Sequence, residues 1–242
     1  MTALIVTLAV AVPIVFGLHY GVPVLAKVWL RRKFLAQIRR SGYLCLTFDD
    51  GPSPAVTPAV LDALATAGVK ATFCVCGHKA DRYPDLIRRM TADGHQVAAH
   101  GHHHRHPWRS WPGRCLADLR RGEAVITSLA GPRAARFVRP PFGKLDLWML
   151  VDLLLRCRVL VYWSIDPTDY NAVDSEAIVA RLDGQIRPGE VILLHDGADR
   201  TGRLPDALPR ALTVILAEMT RLGIPAATVE KALTTTGRPY SS

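Results

Sequence analysis

The sequence predicts an α/β fold, a closed or nearly closed barrel of about seven parallel strands. Three observations support this prediction. The 242 residues, of which 49% are hydrophobic, are enough to bury a substantial core. Beyond Gly42, short apolar runs alternate with single segments whose apolar residues recur at helical spacing, as in parallel βα units. Polar residues suited to catalysis follow most of the apolar runs, as expected at the carboxyl edge of a barrel.

The predicted elements are bounded by turn and capping residues. Gly51-Pro52 stops the first strand, and Gly68 ends the helix after it. A later helix, predicted from Tyr83, has Pro84 in its first turn and is stopped by Gly94. The predicted strands are 43–48, 70–75, 96–99, 137–139, 159–163, 190–194 and, as a seventh, 226–229. The predicted helices are 58–67, 83–93, 115–129, 145–155, 175–185 and 208–222.

Residues 1–26 are predicted to be a membrane anchor, a transmembrane helix that precedes the barrel. Residues 3–26 carry no charged side chain, and this stretch is longer than the ~20 residues that a helix needs to cross a bilayer. A cleaved signal peptide is the alternative. No Lys or Arg precedes the apolar run, and the small residues at 9–11 come too early for a cleavage site, so an uncleaved anchor is favoured.

A basic juxtamembrane segment at 27–42 separates the anchor from a catalytic domain predicted at 43–242. Basic residues beside a span are retained on the cytoplasmic side, which places the domain in the cytoplasm, facing anionic membrane lipid. The odd number of cysteines, five, fits reduced thiols and the same compartment. An extracytoplasmic domain that faces the cell wall is the alternative. The basic residues are Lys27, Arg31, Arg32, Lys33, Arg39 and Arg40.

Composition narrows the class of partner. The formal net charge of +9 favours acidic lipid or an anionic glycan. Nucleic acid is not expected as a partner, because the sequence has no nucleic-acid-binding motif and its aromatic residues are not arranged as base-stacking platforms.

The first predicted strand ends in two adjacent carboxylates, Asp49 and Asp50. Neighbouring side chains at a strand end can diverge, so that one carboxylate binds a cation while the other accepts a proton. Metal-assisted hydrolysis needs this division of labour. A turn acid beside a helix cap is the alternative for such a pair. The other polar residues at strand ends are His100, Arg139, Asp166 and His195.

His100 and His104 are four residues apart, so on one helical turn both rings share a face and can bind one ion at ~2.1 Å. With one carboxylate of the Asp pair they form a His₂Asp site that leaves positions open for water and substrate. Such ligands admit zinc, cobalt or manganese, and zinc is the divalent ion that we expect. A metal-sticky or solvated loop is the alternative for a stretch with five histidines in residues 100–106.

Five short motifs follow one another at the strand ends. They are Thr47-Phe48-Asp49-Asp50-Gly51, the segment His100 to His104, Arg139-Pro140-Pro141-Phe142-Gly143, Asp166-Pro167-Thr168-Asp169-Tyr170 and Leu193-Leu194-His195. In this order they resemble the polysaccharide deacetylase family, the NodB-homology domain of carbohydrate esterase family 4, over about residues 43–197. The resemblance implies a distorted (β/α)7 barrel and a metal-dependent carbohydrate de-N-acetylase.

By resemblance, the first three motifs imply the general base, the metal ligands and the residues that support them. Asp49 corresponds to the general base, and Asp50 to the metal ligand that accompanies His100 and His104. Arg139 corresponds to the arginine that pairs with the base. The family uses the backbone N–H at the position of Phe142, where Tyr is common, as a donor to the oxyanion. Gly101 replaces the usual Ser or Thr, which predicts the loss of a hydrogen bond beside the metal ligands.

The last two motifs imply the acid side of the site. His195 corresponds to the general acid and Leu193 to a residue that lines the acyl pocket. The aspartate of the fourth motif orients that histidine, and Asp166 is preferred here over Asp169. Tyr170 stands where Trp is usual, so the apolar wall beside the acyl group is expected to differ.

The predicted substrate is an N-acylated amino sugar. A cell-wall or chitin-type glycan suits a domain outside the cell, whereas a polyprenyl-phosphate-linked sugar suits a domain at the inner leaflet. Trp108 and Trp111 follow the histidine loop and either stack on a sugar ring or pack on a helix. A hypothesis of another class is a catalytically impaired domain of this family that serves as a membrane-tethered glycan-binding module.

Overall fold

The computed structural model describes residues 2–111, 113–198 and 205–235. Six strands pair within this part of the chain, and all pairs are parallel. They are β1 (Cys45–Asp49), β2 (Thr72–Val75), β3 (Gln96–Ala99), β4 (Phe137–Val138), β5 (Val159–Leu160) and β6 (Val191–His195). Their order in the sheet is β5-β4-β3-β2-β1-β6. The predicted α/β class is confirmed.

The helices connect successive strands, as parallel pairing requires. A π-helical turn at Gly17–Gly21 joins the first two helices into one continuous element. The helices are α1 (Thr2–Phe16), α2 (Val22–Ser41), α3 (Thr57–Thr66), α4 (Gly77–Arg82), α5 (Pro84–Ala92), α6 (Arg114–Ala130), α7 (Leu147–Leu155), α8 (Ser175–Leu182), α9 (Leu208–Arg221) and α10 (Val229–Thr235).

The seventh strand predicted at 226–229 does not form a ladder. Ala226 makes one parallel bridge to Leu44. Two hydrogen bonds support it: Leu44 N–H donates to Pro225 O, and Ala227 N–H donates to Leu44 O. The chain then turns into α10 at Val229, because the sequence after it carries helix-forming residues. Residues 2–111, 113–198 and 205–235 therefore contain six paired strands, where about seven were expected.

The sheet curls until the segment that follows β5 reaches the amino half of β6. There the segment after β5 meets β6 through a bridge between Ile165 and Ile192. Ser164 and Ile165 N–H both donate to Val191 O, at 3.0 and 3.1 Å. On the other face of the sheet from Thr47 and Asp49, Phe48 and Phe73 stack with ring centroids 5.0 Å apart. The result is a barrel whose open side is drawn together by these contacts.

Helix α2 belongs to the core of this barrel as well as to the N-terminal segment. Phe34 and Ile38 are completely buried, and Leu30 and Leu35 are nearly so. The Phe34 ring meets the edge of the Tyr162 ring at 6.0 Å, just after β5. Residues 27–42, predicted as a separate juxtamembrane segment, thus form most of a helix that packs on β5, α7 and α10.

Candidate active site

The polar residues predicted at the strand ends gather around one cavity of about 640 Å³. Parallel pairing explains this, because all carboxyl ends of the strands lie at the same edge. The register sets Asp49 of β1 level with His195 of β6 and with Cys74 of β2. The cavity lining includes Asp49, Asp50, His100, His104, Phe142, Asp166, Tyr170, Leu193 and His195.

Arg139 holds the first carboxylate. Its side chain is completely buried, and Nη1 donates to Asp49 Oδ1 at 2.6 Å and to Thr47 Oγ1 at 3.0 Å. Burial alone would raise the pKa of Asp49, but the charge of Arg139, together with His100 and His195, outweighs burial and lowers it. Asp49 is therefore an oriented, ionised carboxylate, and its Oδ2 lies 3.5 Å from His100 Nε2.

Asp50, His100 and His104 form the group predicted to bind metal. One ligand atom from each lies within 4.8 Å of the other two. Asp50 Oδ1 is 3.4 Å from His104 Nε2 and 3.6 Å from His100 Nε2. Two ligands of a tetrahedral ion at ~2.1 Å would be ~3.4 Å apart, so these two distances fit ligands of one divalent metal ion.

The surroundings of these residues also suit a cation. His100 Nδ1 donates to the carbonyl oxygen of Arg139 at 2.6 Å, which leaves Nε2 for the ion, the usual arrangement of metal-binding histidines. Burial lowers the pKa of His100, so the neutral ring that can coordinate an ion is favoured. The donor set and its hydrogen bonds therefore fit a divalent metal.

Backbone strain is concentrated at this site. Asp50, His104 and Phe142 have φ values of 68°, 51° and 58°, in the left-handed region that residues other than glycine rarely occupy. Such residues cost about 1–3 kcal/mol each unless their surroundings hold them in place. Two predicted metal ligands and the predicted oxyanion donor thus share a conformation that the fold imposes.

Asp118 of α6 fixes the histidine loop, and the sequence analysis missed it. Its carboxylate accepts from His102 N at 2.9 Å and from His103 N at 3.0 Å. The departure at Gly101 is explained here, since its φ is 76° and a Cβ atom would stand 3.1 Å from Asp118 Oδ2. The only sequence signal was an acidic residue within a predicted amphipathic helix, which is normally read as a solvated side chain.

His195 is oriented by Asp169, which corrects the choice of Asp166. Asp169 Oδ1 lies 2.7 Å from His195 Nδ1, and Oδ2 accepts from His195 N at 2.8 Å. Asp166 is exposed, and its Oδ1 instead accepts from Thr168 N. Thr168 has a φ of 50°, and a single 3₁₀ turn follows it, which carries Asp169 inward. The spacing within the motif does not reveal such a turn.

The pKa of His195 is raised to about 9. Burial opposes this shift, but the hydrogen bond and the charge of Asp169, aided by Asp49 and Asp50, more than offset it. His195 therefore carries a proton at neutral pH. It faces Tyr170, whose ring meets the histidine edge-on at 5.0 Å.

Asp196, the neighbour of His195, is a further buried acid that the sequence analysis missed. Burial raises its pKa to about 7, although the hydrogen bond from Thr57 lowers it. A Cβ atom on Gly51 would stand 2.3 Å from the Asp196 carboxylate, so this acid packs directly under the turn that follows Asp50. Lys79 ties the same turn down by donating to Asp50 O at 2.6 Å.

Trp108 is held by contacts within the protein. Its Nε1 donates to Leu145 O at 3.0 Å, Lys144 Nζ lies 4.6 Å from its ring centroid, and the Tyr20 ring meets it at 6.2 Å. Trp108 therefore packs within the protein in this structure, as one of the two alternatives predicted. Stacking of Trp108 on a sugar ring stays a prediction. Trp111 is 78% exposed.

Comparisons with known proteins agree with this geometry. The family model described as polysaccharide deacetylase matches residues 37–151. A chitooligosaccharide deacetylase of Bradyrhizobium sp. (strain ANU 289) is 37% identical over 193 residues, which cover 76% of this chain and 86% of that protein. The chain belongs to the polysaccharide deacetylase family.

Other polysaccharide deacetylases support the same conclusion. The chitooligosaccharide deacetylase of Sinorhizobium fredii is 42% identical over 170 residues, 68% of this chain and 78% of its own length. The crystal structure of the Bc1960 peptidoglycan N-acetylglucosamine deacetylase superposes with a TM-score of 0.73 at 29% identity, covering 79% of this chain and 87% of the other. The predicted fold and enzyme class, a carbohydrate de-N-acetylase of the hydrolase class, are confirmed.

The first prediction concerns the metal group. Asp50→Ala is expected to abolish stoichiometric zinc binding, because it removes the only carboxylate of the three-residue group. Excess zinc at about 100 times its Kd should stabilise the parent protein by ~2.7 kcal/mol and raise its Tm, and should not do so for the variant. Metal analysis and thermal unfolding of the full chain measure both effects.

His103→Ala is the matched control, since His103 is adjacent in the loop but outside this group. It should bind zinc like the parent protein. Equal zinc content in the Asp50→Ala variant would show that the ligands have been assigned wrongly.

The second prediction concerns pH. Because a protonated His195 is needed as an acid, kcat/KM should fall as pH rises through about 9. Asp169→Asn removes the interactions that raise this pKa, so the alkaline limb should move to lower pH. Asp166→Asn, which leaves these interactions intact, should not move it. An unchanged limb in Asp169→Asn would refute the orienting role of Asp169.

Proposed function

We propose that the protein removes an N-acyl group, most simply N-acetyl, from an amino sugar in a glycan or a lipid-linked saccharide. One observation supports this above all. Asp49 is fixed by a buried arginine beside the Asp50, His100 and His104 group and level with a protonated His195. A base, a metal group and an acid around one cavity are what amide hydrolysis requires.

The metal group provides the first part of the chemistry. Asp50, His100 and His104 would hold a divalent ion, zinc in this proposal and cobalt or manganese as alternatives, which would supply Lewis acidity to lower the pKa of water and to polarise the acyl oxygen. Asp49 accepts the proton of the attacking water. Its Oδ2 is on the side of His100, while Oδ1 stays engaged with Arg139.

The remaining residues are proposed to stabilise the negative charge of the oxyanion and to protonate the leaving nitrogen. The backbone N–H of Phe142 is proposed to donate to the oxyanion, and the strained φ of 58° fixes its direction. His195, aligned by Asp169, gives its proton to the departing nitrogen. Leu193 and Tyr170 line the cavity and are proposed to contact the acyl group.

The binding-module alternative is less well supported than the enzyme. The base, the acid and the three metal-binding residues are all present, and they lie around one cavity. The relatives named above are deacetylases of chitooligosaccharides and peptidoglycan. These relatives support an amino-sugar glycan as the general class of substrate. No feature of the described residues favours an inactive, membrane-tethered binding module in the same way.

The proposed location is the membrane, by a single N-terminal anchor. The helix Ala11–Ser41 is long and apolar enough to cross a bilayer, and a signal sequence would have the same length and composition. The basic residues after it favour a cytoplasmic catalytic domain, with an extracytoplasmic one as the alternative. Four of the five cysteines are buried, and all five are free thiols.

The third prediction tests the side of the membrane. A fusion of alkaline phosphatase after Ser242 should be inactive and a fluorescent-protein fusion at the same point should fluoresce, because the phosphatase needs an oxidising compartment. Active phosphatase at that point would place the domain outside and refute the cytoplasmic orientation.

The fourth prediction tests the base. Asp49→Asn keeps the shape of the side chain and removes its ability to accept a proton, so acyl release should fall by about 10²–10⁴-fold. Acetate release from N-acetylglucosamine oligomers and lipid-linked sugars is the measurement. Asp85→Asn, on the exposed face of α5, is the matched control and should act at the parental rate. Parental acetate release by Asp49→Asn would falsify the base assignment.

A further inference from the structure

Arginine side chains fix the short segment that follows β5. Its residues are Val161, Tyr162 and Trp163. Arg139 donates through Nε to Val161 O and through Nη2 to Tyr162 O, both at 3.4 Å. Arg31 of α2 donates through Nε and Nη2 to Trp163 O, at 3.2 and 2.9 Å. Every carbonyl oxygen of this segment thus accepts from a guanidinium group, a rigid donor with fixed geometry.

The peptide group after Trp163 is held at both ends. Its oxygen accepts from Arg31, and its N–H, that of Ser164, donates to Val191 O at 3.0 Å. Because a peptide group is planar, these contacts set its orientation, and with it the direction in which the Trp163 side chain leaves the backbone. The donors of Arg31 are charged, and hydrogen bonds from charged donors are stronger than neutral ones.

The indole ring of Trp163 lines the cavity and packs against the turn Pro141–Gly143. A Cβ atom on Gly143 would stand 2.6 Å from Trp163 Cη2, so the ring leaves no room for a larger residue there. The guanidinium carbon of Arg139 lies 5.5 Å from the ring centroid. Phe142, whose N–H is the proposed donor to the oxyanion, directly precedes Gly143. The ring therefore supports the turn that aims this N–H.

Arg31 belongs to a helix that also packs behind the segment after β5. Phe34, one turn further along α2, is completely buried, and its ring meets the Tyr162 ring at 6.0 Å. Arg31 precedes residue 37, where the match to the family model begins. The neighbouring Arg32 is exposed, whereas Arg31 is half-buried. Helix α2 thus directs one of two adjacent arginines toward the wall of the active site.

We propose that Arg31 is a positioning residue for acyl release. By fixing Trp163 it holds the turn at Phe142 and Gly143, so that the Phe142 N–H points at the oxyanion. This role rests on the proposed function, which makes that N–H a donor in the transition state. Phe142 and Gly143 have φ values of 58° and 57°, and a strained turn keeps its shape only when its neighbours hold it. Arg31 itself contacts no reacting atom.

The kinetic test uses the zinc-loaded full chain and N-acetylglucosamine oligomers. Arg31→Ala should lower kcat by about tenfold and leave KM unchanged, because a donor that acts in the transition state affects kcat and kcat/KM equally. The loss should be smaller than the ~10²–10³-fold that follows removal of an oxyanion donor, since the N–H is still present but less well aimed.

Arg32→Ala is the matched control, because it removes the same charge from the next position of α2. It should act at the parental kcat. A double-mutant cycle with Trp163→Phe tests the route, since phenylalanine keeps the carbonyl group that Arg31 binds and removes the larger ring. In the Trp163→Phe background, loss of Arg31 should lower kcat by less than about twofold.

A second measurement needs no turnover. The protein is labelled with 5-fluorotryptophan, and the ¹⁹F resonance of Trp163 is assigned by its absence in Trp163→Phe. Arg31→Ala should shift or broaden this resonance, and Arg32→Ala should not. The resonances of Trp108, Trp111 and Trp148 should stay in place in both variants, which shows that each is folded.

Several results would overturn the positioning role while the de-N-acylase activity stands. They are a parental kcat in Arg31→Ala, a raised KM at parental kcat, an equal loss in Arg32→Ala, a fully additive cycle with Trp163→Phe, and a Trp163 resonance that does not change when Arg31 is removed. No acyl release by the parent protein would instead refute the proposed function, and the role of Arg31 in it.

Discussion

The site depends on the burial of one guanidinium group. Arg139 has no exposed side-chain surface, so its charge and its donors must be satisfied inside the protein. Its head group reaches Thr47 and Asp49 of β1, and its own carbonyl oxygen accepts from His100. A single residue thus orients the proposed base and a proposed metal ligand. Removing one partner of such a buried pair typically costs about 3–5 kcal/mol, since the other charge is left without compensation.

Around that residue, the parallel sheet brings distant segments together. Asp49 and His195 are 146 positions apart in the chain but face each other in the register of β1 and β6. The bridge between Ile165 and Ile192 pulls the open side of the sheet together at the amino half of β6. The loops, by contrast, are shaped by special local backbone, at Gly101 and Thr168 among others. Topology sets which side chains meet, and the loops set how they point.

This distinction explains what the sequence could predict. Apolar runs that end in polar residues located the strands and the residues Asp49, His100, Arg139 and His195, because strand ends share one edge. Asp169 was passed over in favour of Asp166, since a left-handed Thr168 and a 3₁₀ turn decide which acid points inward. Asp118 and Asp196 act through tertiary contacts that have no local pattern.

The N-terminal segment shows the same limit. Its lack of charge predicted a span, but the burial of Phe34 and Ile38 depends on packing against β5, α7 and α10, which only the folded protein reveals. A stretch that is basic on one face and apolar on the other reads as a solvated linker when the partner surface is unknown. In the folded protein it is one of the elements that fill the barrel wall.

The strained conformations at Asp50, His104 and Phe142 set a limit on engineering. Glycine would relax the backbone at each of these positions, and a screen for thermal robustness would tend to select it. At two of the three positions, however, glycine deletes a side chain that the metal group needs. Substitutions that stabilise the fold at these residues are therefore expected to reduce activity. Stabilising changes are better sought elsewhere, for instance on the solvent-facing side of α9.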